Sequence, residues 1–238
     1  MSWARVRELH RATLDLAGEA EAVEGMARAE RQLPGAAEDV VARYEEALAL
    51  AVRLGDRKRE LAVRNALGIV HWQRGAYTGA MHHYEAALRL CRERGDRVHE
   101  GLILNSLGVT LHRLRRWDEA RTALADAARV TQETGERLLH AHALATLGEV
   151  CLASARLDEA RASVEASLAL RRALDDRRGE GWMLERLGRV RAAQGAHDAA
   201  RDAASAASAI AREIGDELLA AAAARLCVTL APTNSSHP

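Results

Sequence analysis

His82-His83 and the pair His140 and His142 are the first residues to weigh as metal ligands or proton carriers. Adjacent residues on a helix point to different sides, and residues two apart share no face. Neither pair offers two ligands to one ion. The ten histidines form no Glu-x-x-His or His-Glu-x-x-His pattern, and the cysteines form no Cys-x-x-Cys. The acidic pairs Asp118-Glu119 and Asp158-Glu159 could suggest paired-carboxylate chemistry. They begin helices, where the helix dipole favours negative charge, and that accounts for them. There is no Walker motif and no Gly-x-Ser-x-Gly. Cys91, Cys151 and Cys227 are odd in number and far apart, which argues for buried thiols in a reducing compartment rather than a disulfide framework. The expectation is no catalytic residue, no metal and no cofactor.

The glycines explain what the other residues are for. Leu-Gly stands at 67–68, 107–108, 147–148 and 187–188, always 40 residues apart. Small residues keep the same register at Ala80, Ala120, Ala160 and Ala200, and again at Ala87, Ala127, Ser167 and Ala207. Each period closes on Gly55-Asp56, Gly95-Asp96, Gly135-Glu136, Asp175-Asp176 or Gly215-Asp216. A glycine suits the left-handed residue that ends a helix, and the acidic residue after it can cap the next one. One helix is predicted from Arg57 to Arg74 and a second from about Tyr77 to Arg94. The turn between them varies more: Arg74-Gly75, Arg115-Arg116, Ala155-Arg156 and Gln194-Gly195. Helices joined so briefly pack antiparallel. Gly68, Ala80 and Ala87 are expected at their crossing, and neighbouring pairs must stack to bury their remaining faces.

Composition agrees. Hydrophobic residues are 48% of the chain but aromatics only 3%, with no Phe, so the apolar share is mostly Ala, Leu and Val, a mix that favours helices over strands. The three prolines, Pro34, Pro232 and Pro238, leave the middle of the chain free for helices. Basic and acidic residues balance at 34 each, which argues against direct nucleic-acid binding. Only Lys58 is a lysine, a skew that reads as GC-rich bacterial coding. No apolar stretch approaches membrane-spanning length and the N-terminus has no secretory pattern, so a cytoplasmic location is expected.

On Leu67-Gly68, Gly75, Tyr77, Ala80, Tyr84 and Ala87, and on Leu107-Gly108, Trp117, Ala120 and Ala127 after them, the chain resembles the tetratricopeptide repeat family. The common family unit has 34 residues. This 40-residue variety is similar to kinesin light chains and bacterial regulatory arrays. The resemblance implies an all-α fold, a right-handed α-solenoid of antiparallel helix pairs. The expected parts are an N-terminal helix (1–16), a degenerate unit (17–56), four full units (57–96, 97–136, 137–176 and 177–216), a capping helix (217–230) and a disordered tail (231–238). In the degenerate unit Ala27-Arg28 replaces Leu-Gly and Pro34-Gly35 marks the turn.

The resemblance also implies a groove lined by the first helices of the pairs. Its positions here are Asn65, Trp72 and Gln73, then Asn105, His112 and Arg113, then His142 and Glu149, then Trp182, Glu185 and Arg189, and finally Arg225. Asn is a poor helix former, but its amide matches a peptide unit. Asn65 and Asn105, one period apart, are the expected clamp. Arg113, Arg189 and Arg225 could grip acidic groups, but Glu149 and Glu185 are close enough in frame to neutralise them instead. His71 falls at a family tyrosine position and is expected to pack. The function expected is non-catalytic binding of a protein or peptide in a regulatory system. The alternative is a homodimer through the Ala/Leu-rich residues 199–230, and the remote alternative is an enzyme.

Overall fold

A computed structural model describes residues 2–13, 15–30 and 37–230, without the side chains of 28, 30 and 37–39. The expected turn at Pro34-Gly35 and the expected tail at 231–238 lie outside the described residues. The described residues form helices and no strand, an all-α helical-repeat fold. They fall into two compact units, Met1–Arg116 and Trp117–Pro238.

The first unit holds α1 (Trp3–Ala12), α2 (Leu16–Glu30), α3 (Ala37–Leu54), α4 (Arg57–Gln73), α5 (Tyr77–Arg94) and α6 (Arg97–Arg113). Each helix packs on the next in sequence. Val23, Val40, Tyr44, Val63, Leu67 and Val70 form its buried centre. The second unit holds α7 (Trp117–Glu133), α8 (Arg137–Ala153), α9 (Leu157–Arg172), α10 (Arg177–Ala193), α11 (His197–Ile214) and α12 (Glu217–Thr229). Its centre gathers Val164, Leu168, Met183, Leu187, Ile210 and Leu219. Here α10 also touches α8 and α12, so the first helices of successive pairs lie side by side.

The Gly-Asp junction does two jobs. Gly55 turns left-handed (φ +68°), and the amide of Asp56 then reaches back to the Ala51 carbonyl at 3.0 Å. The Asp56 carboxylate accepts from the Arg59 amide at 2.9 Å and so starts α4. Asp96, Asp176 and Asp216 cap α6, α10 and α12 in the same way. Glu136, one methylene longer, makes no such bond to α8.

Among the described residues, three adopt the left-handed turn without being glycine: Arg115, Ala155 and Asp175. A Cβ in that conformation costs on the order of 1 kcal/mol. Ala155→Gly is therefore expected to raise stability by up to about 1 kcal/mol, because Gly75 and Gly195 already hold the equivalent turns at φ +73° and +78°. Urea denaturation checks it, and an unchanged or lower midpoint would show that the alanine carries no strain.

Two junctions are also clipped by charge. Glu100, buried at the start of α6, receives Arg92 from α5 at 2.9 Å and Arg97 at 2.5 Å. Glu180 on α10 receives Arg172 from α9 at 2.8 Å and Arg177 at 2.7 Å. Burial works to raise both carboxyls, but the paired arginines outweigh it and hold both below the ordinary value. The α7–α8 junction lacks the clip: Gln132 and His140 stand in the matching places. His140 Nδ1 lies 3.3 Å from the Thr131 hydroxyl instead.

Candidate binding faces

In the first unit, α4 and α6 carry the expected groove residues. Asn65, Trp72, Asn105 and His112 are half-buried, while Gln73 and Arg113 are exposed. Asn65 and Asn105 occupy the same repeat position. The Oδ1 of each is covered and has no hydrogen-bond partner among the described residues. Asn65 also lines a cleft of about 390 Å³ with Lys58, Ala62, Ile69 and His99. Trp72 stands edge-on to Tyr77 of its own hairpin (centroids 6.2 Å, 63°), and the Arg113 guanidinium sits over its ring at 5.7 Å. Its indole Nε1 is buried without a partner among the described residues. Trp72 therefore takes part in packing while keeping a hydrogen-bond donor unspent.

His71 packs as its position suggested. It stacks on His83 of α5, with centroids 5.2 Å apart and planes 16° from parallel. Burial pushes the His83 imidazole down to about 4, and His71, His82 and Arg64 press in the same direction.

In the second unit, the expected residues gather on α8, α10 and α12. His142 and Trp182 line one cleft of about 890 Å³. Glu149, Glu185, Arg189 and Arg225 form a neighbouring charge cluster with Arg186. The pairing differs from expectation. Glu149 bonds Arg186, at 2.7 Å, and neither Arg189 nor Arg225. Glu185 is only 7% exposed, and burial raises its carboxyl against the pull of Arg189, Arg186 and Arg225. Arg189 and Arg225 are exposed. Arg186 went unnoticed in the sequence because Arg is so frequent. Arg171, also missed, left a signal: it stands where the other repeats place the small or slender Ala51, Cys91, Thr131 and Ala211.

Neither face contains an activated nucleophile. Burial pushes the Cys91 thiol up to about 12 and raises Cys151 as well. Among the described residues, no group of three or more His, Cys, Asp or Glu side chains could hold a metal ion. No described helix is long and apolar enough to cross a membrane.

Sequence profiles of the tetratricopeptide repeat match residues 61–94 and 100–173. With the 40-residue frame and the helical hairpins, they place the chain in the tetratricopeptide repeat family. No curated protein sequence matches it. Among solved structures it is similar to BtubC (BKLC) from P. vanneervenii, with TM-score 0.79, 22% identity and coverage of 90% of this chain and 89% of that one. It is also similar to the nearly identical repeats of a putative kinesin light chain from Podosopora anserina, with TM-score 0.70, 16% identity and coverage of 83% and 97%. A third is a signal transduction ATPase with a tetratricopeptide repeat sensor from Pyrococcus horikoshii, with TM-score 0.68 and 14% identity. It covers 97% of this chain and 33% of that one. Identities this low establish a shared fold.

Proposed function

We propose that this chain is a non-catalytic binding module of a bacterial regulatory system, acting in the cytoplasm and holding a protein or peptide segment on its first-helix faces. One observation carries the reading. Asn65 and Asn105 recur at one repeat position with amide carbonyls that nothing in the described protein satisfies. A covered, unpaired carbonyl costs on the order of 1–3 kcal/mol, and a peptide N–H would relieve it once the amide turns out of its cover. The sensor role named for the Pyrococcus ATPase's repeats is consistent with this use of the fold.

The test is selection from a displayed peptide library, followed by titration of the best peptide. The Asn65→Ala/Asn105→Ala double variant is expected to bind at least tenfold more weakly at unchanged helical content, since two lost amide bonds amount to about 2 kcal/mol. Equal affinity of the two proteins, or no peptide enriched over an unrelated helical protein, removes the assignment.

A second reading, self-association through 199–230, draws on Leu218 and Val228, which are 70% and 74% exposed on α12. Leu219, Leu226 and Leu230 of the same segment are buried. Light scattering at high concentration decides it: a monomer ends this reading.

A further inference from the structure

The second unit contains a cation that the repeat fold does not require. At the end of each second helix the frame places a small or slender buried residue, Ala51, Cys91, Thr131 or Ala211. At 171 it places an arginine that is only 6% exposed. Eight residues on, Arg59, His99, Leu139 and Leu219 give way to Gly179. A Cβ at 179 would collide with the Arg171 side chain, so the glycine makes room for it. The two departures belong together.

The guanidinium crosses from α9 toward α8 and α10. Nη1 bonds Asp176 at 2.5 Å, and Nη2 lies 3.4 Å from Nδ1 of His142. Nε is buried with no partner among the described residues. Asp176 is already engaged as the cap of α10, accepting from the Gly179 amide at 2.8 Å. Arg171 ends in the cleft of about 890 Å³, where Leu138, Leu174, Trp182 and Met183 form an apolar wall. Arg186 stands on the same lining, tied to Glu149 at 2.7 Å. Burial, then the nearby Arg171, keeps the His142 imidazole below its ordinary value. Two guanidinium groups thus line one cleft beside the imidazole, with Asp176 bonded to one of them and Glu149 to the other. A few convergent polar groups against an apolar wall, in a volume of this size, are the features of a small-molecule site.

We propose that this cleft binds a small organic acid, its carboxylate received by Arg171 and Arg186 and its apolar body laid on Trp182, Leu138 and Leu174. The site is separate from the asparagine clamp of the first unit. Such a ligand would make the second unit responsive to a metabolite as well as to a protein.

4-Phenylbutyrate and its amide are suitable probes, titrated against the full chain and followed by the indole N–H resonances of the four tryptophans. The acid is expected to bind with a low-millimolar dissociation constant, ordinary for a fragment of its size, and to shift the Trp182 indole. The amide should bind at least tenfold more weakly, because a charge-assisted forked bond is lost. Arg171→Ala restores a residue the repeat uses elsewhere, so it should stay folded and lose the acid's advantage. Asn65→Ala/Asn105→Ala should bind the acid normally, which separates this site from the peptide clamp. The proposal falls if acid and amide bind alike, if the Trp182 indole does not move, or if Arg171→Ala binds the acid as before. It falls equally if the peptide acetyl-Leu-Glu-Leu-amide binds the cleft more tightly than the free acid, since the carboxylate would then belong to a protein side chain.

Discussion

Gly188→Val is expected to destabilise the protein by about 3 kcal/mol or more. Gly188 is the crossing glycine of the α10–α11 hairpin. A Cβ there would lie 2.7 Å from Cδ2 of Leu226 and 3.2 Å from the Ala200 carbonyl oxygen. Leu226 is 8% exposed and Ala200 is fully buried, so neither has free space to move into. The carbonyl belongs to the backbone of α11, so relief requires the helices to part. The two γ-methyls of valine extend the intrusion, and β-branching narrows the rotamers available. Helix propensity acts in the opposite direction, but by less than about 1 kcal/mol. Urea unfolding of Gly188→Val, Leu226→Ala and the double variant measures the clash directly. The double variant should recover part of the loss, because the contact with Leu226 Cδ2 has been removed. Strict additivity of the two single changes would show that the added side chain does not meet Leu226.

Acidification is expected to cost a further few kcal/mol, concentrated at His83. Its imidazole sits at about 4 in the folded chain, against an ordinary value of 6.5. The unfolded chain therefore binds a proton that the folded chain refuses throughout that interval. Stability contributed by the neutral ring is fully present above about pH 6.5 and is lost as the pH falls toward 4. A shift of that size corresponds to about 3 kcal/mol at most, less what residual solvent access screens. The groups around the ring offer no compensation: His71 and Arg64 come from α4 and His82 from α5, and each opposes a new positive charge. Glu100 and Glu180 titrate below the ordinary carboxylate value, so their contribution disappears at still lower pH and stays separable. His83→Phe keeps an aromatic ring against His71 and removes the proton. Its unfolding midpoint should fall less between pH 7 and 5 than the parent's, the remainder coming from His71 and His142, whose imidazoles burial also holds below the ordinary value. Parallel profiles for the two proteins would move the acid sensitivity elsewhere.

Periodicity sufficed for the architecture because it is a property of many positions at once. A glycine or alanine every 40 residues states where two backbones meet, and Gly-Asp states where one helix stops and the next starts. The contact made by a given residue is a property of three dimensions, and there the sequence was a weaker guide. Gly68 was expected against alanines, but its nearest neighbour is the buried ring of Tyr84. Glu149 was placed to neutralise Arg189 or Arg225, but Arg186 is the partner it meets. In both cases several candidates share a helical face, and only side-chain reach chooses among them. Arg171 is the more instructive miss. Against a background of abundant arginine it is unremarkable, but aligned with Cys91 and Thr131 it breaks a pattern of small or slender residues. In a repeat chain, a departure from the frame is more informative than residue type.

The unclipped α7–α8 junction bears on how the second unit responds to salt. Its neighbour at α9–α10 is held by a capping aspartate and a carboxylate between two arginines. At α7–α8 the acidic residue of the turn caps nothing, and a hydroxyl facing an imidazole replaces the charged bonds. Exposed ion pairs are screened by salt and apolar packing is not, so raising the salt would remove the difference between the two joints and leave each to its helix packing.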